Sequence, residues 1–382
     1  MSAILTLNAG SSSVKFGVYQ AAEEPVLLRA GQVENLGPLA RLSIKGGEAR
    51  ELGPADHAVA LHEILHAIEP VLEGRTVRGV GHRVVHGGKA FGEPEVLTDR
   101  VIAQLRTLES LAPLHQPHNL AAVEAARREF PQAVQIGCFD TAFHRGHPFV
   151  NDTFALPRKY YEQGVRRYGF HGLSYDYITS CLKQDWPELH RGRVVVAHLG
   201  NGASMCAIRD GQSIGSTMGF SALDGLPMGT RCGQLDPGVL LYLMGQGMAA
   251  AEIERILYNE SGLKGLSEIS HDMRTLLASD DPRAAQAVDY YVFRIRRELG
   301  AMAAILGGID GLVFCGGIGE HAAPIRARVV EGMEFLGLGL NAEANATDEV
   351  RIGTGPTEVL VIPTNEERVI ARAVAEALLV ES

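Results

Sequence analysis

Short apolar runs separated by Gly, Pro and Ser open the chain, and the apolar positions then change to helical spacing. Residues 5–19, LTLNAGSSSVKFGVY, predict two buried strands joined by a turn of small polar residues. The other elements predicted in this half are strands at 26–33, 41–45, 77–85 and 133–139 and helices at 57–72, 100–111 and 119–130. Strands followed by helices that alternate with strands predict an α/β domain.

The same order of elements returns in the second half. Residues 194–210, VVVAHLGNGASMCAIRD, repeat the strand, the turn of small residues and the second strand. The other elements predicted here are strands at 311–315 and 358–362, a Gly-rich turn after 315, and helices at 237–244, 250–258, 284–306 and 366–379. We expect residues 364–367, TNEE, to form a capping box for the last helix. The repetition predicts two duplicated α/β domains.

Composition limits the class of partner. A formal net charge of -10 over 382 residues argues against a nucleic-acid partner, because nucleic-acid sites need an excess of Lys and Arg. No apolar run is long enough to span a bilayer, and the N-terminus does not resemble a signal peptide. Five scattered cysteines without a CxxC pair indicate a reducing compartment. We therefore expect a cytoplasmic protein with neither a membrane nor a nucleic-acid partner.

Two motifs of the first half suit anion binding. NAGSSSVK at 8–15 offers backbone N–H groups and serine hydroxyls that can approach a phosphate, with Lys15 just beyond them, although a plain hairpin turn has similar residues. HRVVHGG at 82–88 places Arg83 beside glycines at the end of a strand, where a guanidinium can grip a carboxylate or phosphate with two N–H groups. A solvated arginine is the alternative for Arg83.

Three further residues suit phosphoryl transfer. Asp140, in FDTAFH, follows a strand, so it either caps the next turn or points its carboxylate at a metal, a nucleophile or an arginine. His171, in YGFHG, and Arg231, in GTRCGQLDP, would each be unremarkable alone. Together they provide two donors on loops of small residues, as the oxygens of a transferring phosphoryl group require.

The C-terminal motifs and one helical motif complete the candidates. CGGIGEH at 315–321 has glycines that let the backbone lie against a nucleoside, and Glu366 could hold Mg²⁺ through water or merely favour the helix dipole. HEILH at 62–66 matches a zinc-hydrolase pattern, with both histidines on one helical face. Because Ile64 and Leu65 belong to the apolar stripe, ordinary helix histidines explain HEILH better.

These motifs, in this order along nearly the whole chain, resemble the acetate kinase (acetokinase) family, which belongs to a superfamily with sugar kinases, Hsp70 chaperones and actin. The resemblance implies two duplicated ribonuclease H-like (actin-like ATPase) domains that flank an active-site cleft. It implies a first domain of residues 1–148 completed by the C-terminal helix 367–382, and a nucleotide-binding second domain of residues 149–366. The implied reaction is reversible transfer of the ATP γ-phosphoryl group to acetate, giving acetyl phosphate and ADP, with Mg²⁺ or Mn²⁺, in a homodimer.

The resemblance also assigns roles to individual residues. Asn8 and Glu366 would hold the metal, Arg83 would bind acetate, and His171 and Arg231 would stabilise the transition state, with Asp140 as the catalytic aspartate. His115 and His198 would be further active-site histidines, His115 at the substrate site, where Val85, Leu114 and Phe170 would wall the acetate pocket. The residues that would contact the nucleotide are Lys15, His198, Leu199, Gly200, Asn201, Gly202, Asp272, Met273, Arg274, Gly317, Ile318, Gly319, Glu320 and His321.

Acetate is already a carboxylate at neutral pH, so its attacking oxygen has no proton to lose. We therefore expect Asp140 to orient Arg83, Arg231 or the metal shell rather than act as a base.

The chain departs from the family pattern at two positions. Gln234 stands where the family commonly has an acidic residue, and His321 stands where it commonly has Asn; both affect nucleotide details only. The alternatives are a propionate or butyrate kinase of the same fold, a nucleotide-dependent switch like the chaperones, and the HEILH zinc hydrolase.

Overall fold

The computed structural model of the chain describes residues 2–10, 13–113 and 115–380. The chain divides into two compact units, of which one is Met1–Arg145 with Asn365–Ser382 and the other is Gly146–Thr364. None of the helices in the described ranges combines the length and the apolar character that spanning a bilayer requires.

The first unit is built on an eight-stranded sheet of order β5-β4-β3-β2-β1-β6-β8-β7. Its strands are β1 (Ser2–Ala9), β2 (Ser13–Gln20), β3 (Val26–Glu34), β4 (Gly37–Ile44), β5 (Arg50–Ala55), β6 (Thr76–Val84), β7 (Glu95–Val96) and β8 (Val134–Phe139). Its helices are α1 (His57–Leu72), α2 (Asp99–Arg106), α3 (Gln116–Glu129) and the C-terminal helix (Glu366–Val380), with 3₁₀ turns at Glu109–Leu111 and Ala142–His144.

The C-terminal helix packs on the central strand β6 of this sheet. Gly81 is essential to that approach, because a methyl group at this position would lie 2.3 Å from a side-chain carbon of Ile370. Ile370 and Val374 are fully buried there. The helix therefore lies close enough to the sheet for Glu366, at its first turn, to reach the strand ends.

The second unit is built on a five-stranded sheet of order β11-β10-β9-β12-β13. Its strands are β9 (Arg193–Leu199), β10 (Ala203–Arg209), β11 (Gln212–Ser216), β12 (Gly311–Cys315) and β13 (Glu358–Val361). Its helices are α4 (Phe149–Asp152), α5 (Arg158–Glu162), α6 (Gly172–Asp185), α7 (Pro187–Arg191), α8 (Pro237–Gly245), α9 (Ala250–Asn259), α10 (Gly262–Ser267), α11 (Met273–Leu277), α12 (Pro282–Leu306), α13 (Gly316–His321), α14 (Ala323–Val330) and α15 (Ala342–Ala346), with a 3₁₀ turn at Glu334–Leu336.

The two sheets share one strand plan. In the first unit β1 pairs antiparallel with β2 and parallel with β6, which pairs parallel with β8. In the second unit β9 pairs antiparallel with β10 and parallel with β12, which pairs parallel with β13. The repetition of strand–turn–strand in the sequence is therefore a repetition of the fold.

Three local predictions need correction. The Gly-rich segment after β12 is a helix, Gly316–His321, whose first N–H is bound 2.8 Å away by Oε1 of Glu320 in the same segment. The helix expected at 100–111 ends at Arg106, where a C-cap and a separate 3₁₀ turn follow. The capping box at 364–367 does not form, because Asn365 instead accepts from the N–H of Arg368 at 3.1 Å.

Candidate active site

Arg83 and Asp140 lie at the same edge of the first sheet because they close neighbouring parallel strands. Arg83 is the penultimate residue of β6 and pairs with Cys138 of β8. Asp140 directly follows β8, and its backbone N–H donates to the carbonyl of Val84 at 3.1 Å. Parallel strands bring their carboxyl ends together at one edge, where α/β proteins bind their ligands.

The guanidinium of Arg83 is fixed by two neighbours. Its Nε donates to Oδ1 and Oδ2 of Asp140 at 3.0 and 3.1 Å, and its Nη2 donates to Oδ2 at 2.6 Å. Its Nη1 donates to Oδ1 of Asn8, the neighbouring residue on β1, at 3.1 Å. Both oxygens of Asp140 thus accept from a cation, which is the role of an ionised carboxylate.

Burial and charge act in opposite directions on this pair. Burial by itself would lower the pKa of Arg83, but the charges of Asp140 and Glu366 outweigh burial and raise that pKa above its usual range. Burial raises the pKa of Asp140, and the adjacent guanidinium of Arg83 opposes this rise. The Asp140 side chain is only 2% exposed, so its carboxylate faces Arg83 rather than solvent.

Oxygen donors gather beside Arg83 at the start of the C-terminal helix. Nδ2 of Asn8 donates to Oε2 of Glu366 at 3.1 Å and to Oε1 of Glu367 at 3.5 Å. Nη1 of Arg83 lies 3.7 Å from the same oxygen of Glu366. In the described residues no group of three or more His, Cys, Asp or Glu side chains forms a ready metal cage. Two carboxylates and an amide oxygen nevertheless suit Mg²⁺, which keeps several of its waters.

Two buried amide side chains that are not among the predicted site residues hold the ends of these strands. Asn119, on α3, accepts from the N–H of Val85 at 2.9 Å and donates to the carbonyl of Ala9 at 2.5 Å. Gln116 exchanges hydrogen bonds with the N–H and carbonyl of His86 at 3.1 and 3.0 Å. Polar residues on the buried face of an amphipathic helix are the sequence signal that identifies such clamps.

Three further site candidates of the first unit are among the described residues. Lys15 is exposed on β2 and pairs across the hairpin with Asn8. Val85 is buried directly after β6, and His115 is half-buried immediately before α3. Leu114 lies outside the described residues.

In the second unit His171 occupies a constrained position. It immediately precedes α6 with φ of 59°, a left-handed backbone conformation that residues other than glycine rarely adopt. Its Nδ1 lies 2.8 Å from Oγ of Ser204 on β10. Its ring stacks on that of His198, with centroids 4.3 Å apart, and Nδ1 of His198 lies 2.8 Å from Oγ of Ser174. Strained backbone and an anchored ring are typical of functional positions.

Arg231 precedes α8 in the sequence and lies beside His171, next to the turn that joins β9 to β10. A methyl group at Gly202 would lie 3.3 Å from Nε2 of His171 and 3.9 Å from Nη1 of Arg231, so both donors line the space over this glycine. Nη1 of Arg231 also donates to the carbonyl of Ala222 at 3.2 Å. The structure therefore brings together His171, Arg231 and the small-residue turn, as an anion site requires.

The nucleotide candidates of the second unit fall into two groups by position. The first lies at the ends of β9 and β12, where Glu320 binds the N–H groups of Gly316 and Thr364 at 2.8 and 3.1 Å. This group consists of His198, Leu199, Gly200, Asn201, Gly202, Gly317, Ile318, Gly319, Glu320 and His321. Leu199 is fully buried, so its backbone alone is available to a ligand. His321 is exposed and lies 3.7 Å from Asp348.

The second nucleotide group starts α11. Asp272 caps this helix and accepts from the backbone N–H, Nε and Nη2 of Arg274. Hydrogen bonding from Arg274 lowers the pKa of Asp272 to about 2. Met273 is buried, so only its backbone can face a ligand. Phe170, predicted to wall the acetate pocket, is likewise buried in the second unit.

The HEILH motif lies on α1, and among the residues that the structure describes no third His, Cys, Asp or Glu side chain completes a metal-binding group there. Glu63 pairs with Arg50, and His66 lies 3.2 Å from Glu69 on the outer face of the helix. Ile64 is fully buried in the core of the first unit. These neighbours account for the motif as part of an amphipathic helix.

Comparison with known proteins gives one consistent result. The model of the Acetokinase family matches residues 3–372. An acetate kinase of Methylocella silvestris is 54% identical over 97% of this chain and 96% of its own length. The crystal structure of Porphyromonas gingivalis acetate kinase is 36% identical with a TM-score of 0.89, covering 99% of this chain and 100% of that one. A propionate kinase structure from Francisella tularensis is 32% identical with a TM-score of 0.91, covering 98% and 99%.

The resemblance seen in the sequence motifs is therefore confirmed, and so is the prediction of two duplicated α/β domains of the actin-like ATPase type. The zinc-hydrolase alternative is excluded by a family match that spans nearly the whole chain. The chain belongs to the acetokinase family, whose members are phosphotransferases that use a carboxylate as acceptor.

Proposed function

We propose that this protein catalyses the reversible transfer of the γ-phosphoryl group of ATP to acetate, giving acetyl phosphate and ADP. The observation that carries this proposal is the fixed guanidinium of Arg83, held by Asp140 at the ligand-binding edge of a sheet in a chain of the acetokinase family. One N–H on Nη1 and one on Nη2 of Arg83 make no hydrogen bond to the described residues, although Nη1 lies 3.7 Å from Glu366, and these two N–H groups can donate to the two oxygens of a carboxylate.

The reaction needs no general base. An acetate oxygen forms a bond to the γ-phosphorus while the bond from this phosphorus to the bridging oxygen of ADP breaks, and no proton is transferred. What the protein must supply is alignment of two anions and stabilisation of a loose transition state. Asp140 serves this reaction by orienting Arg83, because both its oxygens already accept from that guanidinium.

The first unit also suits the metal that phosphoryl transfer from ATP requires. Glu366, Glu367 and the amide of Asn8 provide hard oxygen donors within one hydrogen-bonded group. We propose that these residues hold Mg²⁺ through its waters, with Mn²⁺ as a substitute. The ion, when bound, would neutralise charge on the phosphate oxygens of ATP. Lys15, exposed across the hairpin from Asn8, is the proposed phosphate contact.

The second unit supplies donors for the transferring phosphoryl group and the site for ATP. His171 and Arg231 line the same space over Gly202, where their N–H groups can meet phosphate oxygens. We propose that the turn at 200–202 and the helix α13 bind the phosphates and ribose of ATP, and that residues 272–274 lie near its base. Catalytic donors of this kind act by being fixed before the charge develops.

The acceptor is proposed to be acetate rather than a longer carboxylate. The resemblance to the family assigns Val85, Leu114 and Phe170, all bulky and apolar, to the acceptor pocket, and residues of this kind favour a short carboxylate. In an apolar pocket one additional methylene changes the binding free energy of the substrate by only about 1 to 3 kcal/mol. Propionate is therefore expected as a secondary substrate. The structural likeness to a propionate kinase makes that acid the second candidate acceptor.

Helix α8 supports a homodimer. Its side chains are largely apolar and none is buried within the described residues, with Leu241 70% and Tyr242 65% exposed. A continuous apolar face of this kind marks a protein interaction site, and we propose a second copy of this chain as its partner.

We propose a cytoplasmic location. The five free cysteines agree with it, because thiols stay reduced there.

The deciding experiment traps the acyl phosphate. The purified protein is incubated with ATP, Mg²⁺ and hydroxylamine, and hydroxamate is measured with acetate, propionate and butyrate. The expected order of kcat/KM is acetate, then propionate, then butyrate. Treatment with chelator should abolish the activity, and Mg²⁺ but not Zn²⁺ should restore it. A higher kcat/KM with propionate than with acetate would indicate a propionate kinase instead. If no hydroxamate forms with any of the three acids, the proposal is refuted.

A further inference from the structure

Ser204 lies between two groups that it connects by short hydrogen bonds. Its Oγ is 2.8 Å from Nδ1 of His171 and 2.5 Å from the phenolic oxygen of Tyr175. Ser204 and Tyr175 are fully buried, one on β10 and the other in the first turns of α6. The three polar groups therefore form a row that starts inside the second unit and ends at His171.

The chemistry of the row favours one direction of donation. A phenol is a better hydrogen-bond donor than an alcohol, and an alcohol is the better acceptor. Burial raises the pKa of Tyr175 well above its usual range, so its hydroxyl keeps its proton. With Tyr175 donating to Ser204, the hydroxyl of Ser204 is directed to Nδ1 of His171.

A neutral imidazole that accepts at Nδ1 carries its proton on Nε2. Nε2 is the nitrogen that faces the space over Gly202, where Nη1 of Arg231 also lies. The opposite tautomer would present a lone pair to a phosphate oxygen, and the two would repel. For the neutral ring, the tautomer of His171 therefore decides whether Nε2 can donate to a phosphoryl group.

We infer that Ser204 and Tyr175 are positioning residues that hold His171 as its Nε2–H tautomer, so that Nε2 donates to the transferring phosphoryl group. The inference rests on the proposed function for the identity of that group, whereas the tautomer itself is independent of it. Stacking on His198 fixes the plane of the ring, and the row of hydroxyls fixes its proton. A hydrogen bond at one ring nitrogen commonly sets the tautomer of a functional histidine whose other nitrogen meets the ligand.

The test measures the tautomer directly by ¹⁵N NMR of the histidine rings in the full-length protein. The signal of His171 is identified by its loss in His171→Gln. In the unmodified protein we expect Nδ1 at the shift of a bare ring nitrogen and Nε2 at that of a protonated one. In Ser204→Ala we expect both signals to move toward the average of two tautomers. Finding the proton on Nδ1 in the unmodified protein would overturn the inference, whatever the reaction.

Kinetics provide the second measurement. Tyr175→Phe removes one buried hydroxyl without changing the shape of the ring, and we expect Tyr175→Phe and Ser204→Ala to lower kcat roughly 10- to 100-fold with little change in either KM. The matched control is Tyr291→Phe, which removes a buried hydroxyl of α12 in the same unit that lies outside this row. Equal effects of Tyr175→Phe and Tyr291→Phe on kcat and on the His171 signals would contradict a positioning role.

Discussion

Arg83 and Asp140 form a hydrogen-bonded pair in which Nε and Nη2 of the guanidinium contact both carboxylate oxygens. Because Asn8 accepts one N–H of Nη1, a single N–H on each of Nη1 and Nη2 makes no hydrogen bond to the described residues, with Oε2 of Glu366 lying 3.7 Å from Nη1. These two N–H groups are the part of the guanidinium that is presented to a ligand. The pair thus converts a flexible arginine into a rigid fork that matches one carboxylate.

Because two N–H groups of the planar guanidinium are needed, even replacement of Arg83 by lysine should impair catalysis. Arg83→Lys keeps the charge but loses the planar pair of donors, so we predict a KM for acetate raised at least 10-fold and a kcat lowered about 100-fold. Steady-state hydroxamate assays with varied acetate and varied ATP measure both. The matched control is Arg78→Lys, on the same strand but exposed, which should leave the kinetics unchanged. An unaltered KM for acetate in Arg83→Lys would remove Arg83 from the acceptor site.

Asp140 should act through Arg83 and not as a base. Asp140→Asn leaves the cation of Arg83 with a weaker acceptor, and we predict a loss of kcat/KM of roughly 100-fold without the disappearance of any acidic limb of the pH–rate profile. The double variant with Arg83→Ala should lose little more than Arg83→Ala alone, because residues that act as a unit are not additive. Additive losses, or an ionisation that vanishes with Asp140, would instead indicate a separate proton-transfer role.

Much of this site could be predicted from the sequence because its residues stand where strands end. Arg83 and Asp140 follow unmistakable apolar runs, and strands of one parallel sheet must end at one edge, so their proximity follows from the strand pattern. The repeated turn between strands likewise predicts the duplicated sheets. Strand ends are well marked because apolar runs stop there.

What the sequence could not provide depends on contacts between distant elements. The row from Tyr175 through Ser204 to His171 joins a helix to a strand about thirty residues away, and no spacing rule describes it. The glycines of residues 316–321 predict a turn because glycine disfavours helices, whereas the carboxylate of Glu320 accepts the first N–H group of a helix there. In both cases a side-chain hydrogen bond, between distant elements in the row and within the segment in the helix, decides what backbone propensity leaves open.

Asn119 should be a stability determinant of the first unit as well as a support of the site. Asn119→Ala leaves the N–H of Val85 and the carbonyl of Ala9 without this partner in a buried place, which costs about 1 to 3 kcal/mol for each unsatisfied group. We predict a clearly lower urea midpoint together with a lower kcat, since the ends of β1 and β6 carry Asn8 and Arg83. Arg128→Ala, exposed on the same helix, is the control and should change stability by less than about 0.5 kcal/mol.

If Asn119→Ala unfolds at the same urea concentration as the Arg128→Ala control, the two hydrogen bonds add nothing to the free energy of unfolding. A normal midpoint with a lower kcat would restrict Asn119 to alignment of the strand ends. A lower midpoint with normal kcat would restrict it to stability. Each result therefore separates the two roles that the geometry gives to one side chain.

His82 should make the first unit sensitive to mild acid. This histidine is buried on β6, where burial lowers its pKa to about 4 while Nε2 bonds to Oε1 of Gln135 at 2.8 Å. The unfolded chain, with a histidine pKa near 6.5, binds a proton that the folded one excludes. The free energy of unfolding should therefore fall as the pH drops below about 6.5, with a loss of about 2 kcal/mol between pH 7 and pH 5.

His82→Gln removes this titration while keeping a side chain that can bond to Gln135, so its urea midpoint should change less between pH 7 and pH 5 than that of the unmodified protein. Buried His86, whose pKa burial and Arg145 lower to about 3, contributes in the same direction and remains in both proteins. The matched control is His62→Gln, an exposed position on α1 that should preserve the full pH dependence. If His82→Gln and His62→Gln show the same slope of stability against pH, the proton uptake on unfolding has another source than His82.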